Sequence, residues 1–175
     1  MKGSAKAFKQ VQGGDYKTGR TVHLVDVENL VGNGEMDFDQ AAKARDQYTG
    51  VAGYQQGDHV IVACGHAGAP GAFFAWNGLG QMIKRSGKDG ADIALVDYFY
   101  DNELWTRFDR IVIGSGDNRF LPVCTKSRNE GLEVTIVART VSSVYGGIRA
   151  SVYDIRVLTP TLVLPELELE FAYGA

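Results

Sequence analysis

No apolar run in this chain approaches the roughly 20 residues that a membrane span requires. The first residues, MKGSAKAFKQVQGG, hold no hydrophobic stretch of the kind that directs secretion. The expectation is a cytoplasmic protein with no membrane partner. Cysteine is scarce. Cys64 and Cys124 stand without CxxC spacing or paired histidines, which favours reduced buried thiols over a disulfide or a zinc site. An excess of positive charge is also missing. A net charge of −3 argues against a protein that coats nucleic acid non-specifically, because such binding is driven by phosphate neutralisation and counterion release. The common nucleotide motifs fail as well. GSGDNR has no GK[ST] after it, neither it nor GLGQMIK completes GxGxxG, and DVEN lacks the DxDx[TV] of an aspartyl-nucleophile phosphatase.

What is present is a globular composition, 45% apolar with only 22% charged residues, enough to bury one core. Residues 1–20 are rich in Gly, Lys and Gln without a sustained period and read as a flexible leader, so the domain is expected over 21–158. Val22 to Val25 is a short apolar run closing on Asp26, as a buried parallel strand would. The segment 38–48 (FDQAAKARDQY) carries good helix formers, with Asp37 placed to cap it. A second strand, His59 to Cys64, leads into the loop GHAGAPG. The spacing then predicts a helix over Ala72 to Lys84 despite Gly78 and Gly80. Asp89 to Trp105 has β-branched and aromatic residues, but its length favours a helix. A third strand over Arg110 to Gly114 precedes a turn, a helix near 118–129 and a stop at Gly131. Leu132 to Ala138 reads as a fourth strand.

Strands separated by helices imply a three-layer α/β/α sandwich around a mostly parallel sheet. Ligands then bind beyond the carboxyl ends of the strands. Residues 159–175 alternate Glu166, Glu168 and Glu170 with Leu167, Leu169, Phe171 and Tyr173, a strand-like tail with one apolar face. Such a strand either packs on its own domain or adds to a partner, including a second copy in a homodimer.

Three aspartates fall where this fold would present them: Asp26 in VHLVDVENL, Asp92 in KDGADIALVDYF and Asp117 in IVIGSGDNRF. Brought together they would form a carboxylate nest for a divalent cation. Mg²⁺ wants oxygen ligands and takes one or two carboxylates plus substrate phosphate oxygens. A bound cation removes the repulsion among crowded acids, makes a water more acidic and neutralises charge on a phosphate. The chemistry that follows is phosphodiester hydrolysis. Each Asp taken singly could equally be a helix cap or a solvated turn residue.

The segments VDVENL, GADIALVDYF and VIGSGDNRFLPV resemble the NYN branch of the PIN-like nucleases, over roughly residues 21 to 140. Members of that family fold as a parallel α/β/α sandwich and hydrolyse RNA with acidic residues around Mg²⁺ or Mn²⁺. The resemblance implies Asp26 as the first-strand metal ligand, Asn29 as the polar residue that orients a carboxylate or water, Asp92 as the helix ligand and Asp117 as the ligand after the SG turn. It implies a ribonuclease, expected to be an endonuclease. One departure stands out. Many relatives read SGDxD, whereas this chain has Asn118 and Arg119, with a cation where the second carboxylate would sit. That makes a two-metal site doubtful. It leaves two alternatives: Arg119 clamps a phosphate, or the site is silent and the protein is an RNA-binding or scaffolding module.

Lys84, Arg85 and Lys88 precede Asp92, and Arg119, Lys126 and Arg128 follow Asp117. These basic residues read either as a solvated surface or as contacts to RNA backbone, with Ser115 and Asn118 shaping the loop at the substrate. Asp97 is five residues beyond Asp92, about 140° round a helix of 3.6 residues per turn. Geometry therefore prefers Asp89 as a fourth acid, while the family resemblance prefers Asp97. His66 is a lone loop histidine, more often solvated than catalytic. Phe73, Phe74 and Trp76 could stack unpaired bases, although core packing is the commoner fate of such a cluster.

Overall fold

A computed structural model describes residues 19–158. Among the described residues, six strands form one all-parallel sheet: β1 (Thr21–Asp26), β2 (His59–Cys64), β3 (Gln81–Lys84), β4 (Arg110–Gly114), β5 (Glu133–Ala138) and β6 (Asp154–Val157). Their order across the sheet is β3-β2-β1-β4-β5-β6. The chain therefore runs outward from β1 in one direction through β3, then restarts beside β1 with β4 and runs the other way. The reversal lies between β1 and β4, the position at which open parallel sheets leave a crevice at their carboxyl ends.

The helices are α1 (Val27–Val31), α2 (Phe38–Ala52), α3 (Ala69–Trp76), α4 (Gly90–Asp101), α5 (Leu121–Asn129) and α6 (Gly146–Ser151). They cover both faces, because strands buried on both sides leave apolar side chains alternately up and down. Val25, Val60, Val62, Val112 and Val137 pack with Leu30 of α1, Tyr48 of α2 and Trp76 of α3. Val22, Leu24, Ile61, Ile111, Ile113 and Ile136 pack with Leu95 and Phe99 of α4, Val123 of α5 and Ile148 of α6. The three-layer α/β/α architecture expected from the sequence is present.

Local chemistry explains most boundaries. Asp37 caps α2 through a capping box with Gln40, with N–H to side-chain contacts of 2.8 and 3.1 Å. Such a cap is worth about 1 kcal/mol. Gly53 and Gly131 adopt the left-handed backbone that ends α2 and follows α5. Cys64 and Cys124 are buried free thiols, as anticipated, and burial pushes them up to about 11 and about 12. Among the described residues no helix is long and apolar enough to cross a membrane.

Three expectations need correction. The helix foreseen over Ala72 to Lys84 is α3, ending at Trp76, followed by the edge strand β3. Gly78, with φ +86, breaks the helix there. The segment expected to be helical up to Trp105 leaves α4 at Asp101 and continues as a short 3-10 turn, Leu104–Thr106. The strand β6 was not foreseen. The leader up to residue 18 and the tail 159–175 lie outside the described residues.

Candidate functional site

Alternation along β1 decides where Asp26 points. Val22 and Leu24 belong to the core under α4, Val25 to the opposite core, so Asp26 faces α4. Asp92 sits in the first turn of α4. The two carboxyls are 4% and 7% exposed, and each strongly perturbs the other. Burial holds Asp26 well above the usual carboxylate range, and a proton shared with Asp92 raises it further. Asp92 is raised by burial first. Sharing with Asp26 lowers it, the nearby Asp117 and Asp89 push it up, and Arg119 pulls it down. The pair therefore keeps a proton to higher pH than separate carboxyls would. The N-terminus of α4 favours negative charge on Asp92, but burial outweighs it.

One atom of this pair is conspicuously unsatisfied: Asp92 Oδ1 is buried without a hydrogen-bond partner. A buried carboxylate oxygen facing no donor is costly, and a hard cation would satisfy it. One or two carboxylates are the protein ligands that Mg²⁺ ordinarily takes.

Asp117 comes to the same crevice from β4. Its loop is built by Ser115, a fully buried residue whose Oγ accepts the Asp117 N–H at 3.2 Å. Asp117 Oδ1 in turn accepts the Arg119 N–H at 2.9 Å, capping the 3-10 turn Asn118–Phe120. Asp26 likewise caps α1 by accepting the Asn29 N–H at 3.2 Å. Two of the three aspartates thus also serve as local caps. Among the described residues, no three acidic, histidine or cysteine side chains stand at the mutual spacing that would hold a metal ion. Asp26 and Asp92 form a buried pair, and Asp117 lies within electrostatic reach of Asp92.

Asn29 bridges the two halves of the crevice: its side-chain oxygen accepts the Gly116 N–H at 3.2 Å. Its side chain is thus engaged with backbone rather than with a carboxylate. Its neighbour Glu28, which sequence reasoning did not single out, accepts the Gly65 N–H at 2.7 Å. The five-residue α1 is therefore tied on one side to the loop after β2 and on the other to the loop after β4. The only sequence signal for this was the run of polar residues in DVEN.

The basic residues divide. Arg119 is the cation at the site, paired through Nη2 with Asp89 Oδ2 at 2.5 Å. Asn118 lines the crevice beside Asp117. Arg85 pairs with Asp97 at 2.6 Å, which engages Asp97 away from the carboxylates, whereas Asp89 acts on Asp92 electrostatically. Lys84 and Lys88 are exposed at the end of β3 and just before α4. Lys126 lies 4.6 Å from the ring centre of Trp105 and bonds Glu130, while Arg128 bonds the Ser151 carbonyl. His66 is exposed, its Nδ1 2.9 Å from Ser86 Oγ. Trp76 is core, but Phe73 and Phe74 are exposed.

A polar cleft of about 270 Å³ opens beside Asp117, lined also by Asn29, Asn118, Ser142 and Tyr145. The last two come from the loop after β5 and were not anticipated. No protein-family model matches the chain, and no curated protein does.

Proposed function

We propose that the protein is a metal-dependent ribonuclease of the NYN type among the PIN-like nucleases, cutting RNA phosphodiester bonds endonucleolytically. The observation that carries this reading is the buried Asp26–Asp92 pair at the strand-order reversal, with the partnerless Asp92 Oδ1 inside it. Asp26 and Asp92 would hold Mg²⁺ or Mn²⁺, with Asp117 as the third carboxylate. The ion, when bound, supplies a more acidic water and neutralises charge on the phosphate. Asn29 and Ser115 hold the Asp117 loop in register with the pair. Arg119 supplies a planar guanidinium suited to a phosphate oxygen pair, and Lys84 and Lys88 supply charge for the RNA backbone farther out.

A second reading, a catalytically silent RNA-binding or scaffolding module, is favoured by Arg119, ion-paired with Asp89, standing where many NYN-family members carry a second acid. The two are separated by incubating labelled RNA with purified protein and Mn²⁺. Cleavage that EDTA abolishes and Asp117→Asn removes supports the nuclease. Binding that survives both treatments without cleavage supports the silent module and refutes the nuclease.

A further inference from the structure

We propose that Tyr145 is a stacking platform for one unpaired base of RNA, beside the phosphate that the carboxylates would receive; this rests on the ribonuclease reading. The cleft next to Asp117 has one wall from the loop after β4 and the other from the loop after β5. The two loops are in direct contact. The Tyr145 N–H donates to the Gly116 carbonyl at 2.8 Å, and a Cβ on Gly116 would lie 2.4 Å from the Ser143 carbonyl oxygen. The second wall is stiff, because Thr140 and Ser143 close a reciprocal capping box ahead of Tyr145.

Tyr145 is 47% exposed and lines this cleft, so its ring is open to a ligand. Its ring leans on the backbone of Gly147, where a Cβ would come within 2.6 Å of Tyr145 Cε1. The ring thus sits against a residue with no side chain, which fixes its position. Asn118 and Ser142 on the same cleft offer donors and acceptors to a base edge or a ribose hydroxyl.

These features select a ligand class. An exposed aromatic face captures nucleobases by stacking, which is tolerant of sequence and open only to bases that are out of a duplex. The cleft, about 270 Å³, is of the size that one nucleoside would occupy. The platform would therefore confer preference for unpaired RNA at the scissile position.

The test is fluorescence anisotropy of a labelled single-stranded oligoribonucleotide and of a blunt duplex, in Ca²⁺ buffer, with wild type, Tyr145→Phe, Tyr145→Ala and Gly147→Ala. Stacking of one base is worth roughly a 5- to 150-fold change in affinity. Tyr145→Ala should weaken single-strand binding within that range and leave duplex binding unchanged. Tyr145→Phe should stay within about twofold of wild type, and Gly147→Ala should weaken binding by displacing the ring. Wild-type affinity in a folded Tyr145→Ala variant overturns the platform while leaving the nuclease reading intact. Failure of wild type to bind either RNA, together with no Mn²⁺-dependent cleavage, overturns that reading and the platform with it.

Discussion

Asn29 accepts the Gly116 N–H through its side chain while its own N–H donates to Asp26 Oδ1, both at 3.2 Å. One residue thereby couples the carboxylate at the end of β1 to the loop after β4, where Gly116 lies 87 positions from Asn29 in sequence. The alignment of these strand ends, Val25 opposite Gly114, makes the reach possible. Removing the side chain would leave a part-buried N–H without its partner, at a cost of about 1–3 kcal/mol.

Asn29→Ala should therefore lower the melting temperature by several degrees and cut RNA cleavage by on the order of 100-fold, since displacement of a reacting group by about 1 Å has that effect. Asn29→Asp keeps the acceptor but adds a carboxylate to a crowded site. It should melt below wild type in EDTA and recover with Mn²⁺. Thermal melts with and without Mn²⁺ check both. Two variants that melt like wild type would remove the bridging role.

Asp26 offers a sharper test of the proposed cation site. Its folded pKa is raised by burial and by Asp92, so its contribution to stability is fully present below about pH 3.9 and is lost as pH rises through the raised value. In EDTA at pH 7 the wild-type site is a liability. Asp26→Asn should melt higher than wild type there, by about 2–4 °C for each kcal/mol relieved, and the gap should close towards pH 4. Mn²⁺ should raise the wild-type melting temperature and leave the variant unmoved. An equal Mn²⁺ shift in both would mean that the ion binds elsewhere.

The elements that carry the three aspartates were legible because their signals are local: an apolar run that closes on Asp26, an SG turn before Asp117, an acid early in a helix. The topology follows from the same logic, since strands alternating with helices leave parallel pairing as the ordinary outcome. What stayed hidden were short edge elements. Gln81–Lys84 has four residues and pairs on one side only, so neither length nor alternation marks it. Asp154–Val157 carries Asp154 and Arg156, whose charges pair with each other at 2.8 Å and mask the strand as a polar segment. The Tyr145 wall was equally invisible, because its position depends on Gly116 yielding space to the Ser143 backbone, distant in the chain.

His23 supplies a pH-dependent element outside the site. It is fully buried on β1, with its ring nitrogens 2.9 Å from Tyr48 Oη and 3.1 Å from Asp58 Oδ2. The contact with Asp58 favours the charged ring, yet burial prevails and the pKa is lowered, with Arg110 assisting. Stability from the neutral ring is complete above about pH 6.5 and is lost as pH falls through the folded value. His23→Gln should be less stable than wild type at pH 8, with the difference narrowing as pH falls to 5. A difference independent of pH in denaturant titrations would show that the imidazole does not titrate on unfolding.

Asp89 holds Arg119 from a strained position. It is a non-glycine residue at φ 57, and its 2.5 Å ion pair is 44% and 32% exposed at the two side chains, so the pair itself is worth no more than about 1 kcal/mol. Replacing Asp89 with glycine relieves the left-handed backbone and releases the guanidinium. Asp89→Gly should therefore melt no lower than wild type while binding single-stranded RNA several-fold more tightly. Arg119→Ala should weaken binding and reduce the slope of log affinity against log salt by about 0.7, the signature of one lost phosphate contact on a single strand. Weaker RNA binding by Asp89→Gly, restored by excess Mn²⁺, would instead make Asp89 a carboxylate of the proposed cation site and leave Arg119 as its structural counter-charge.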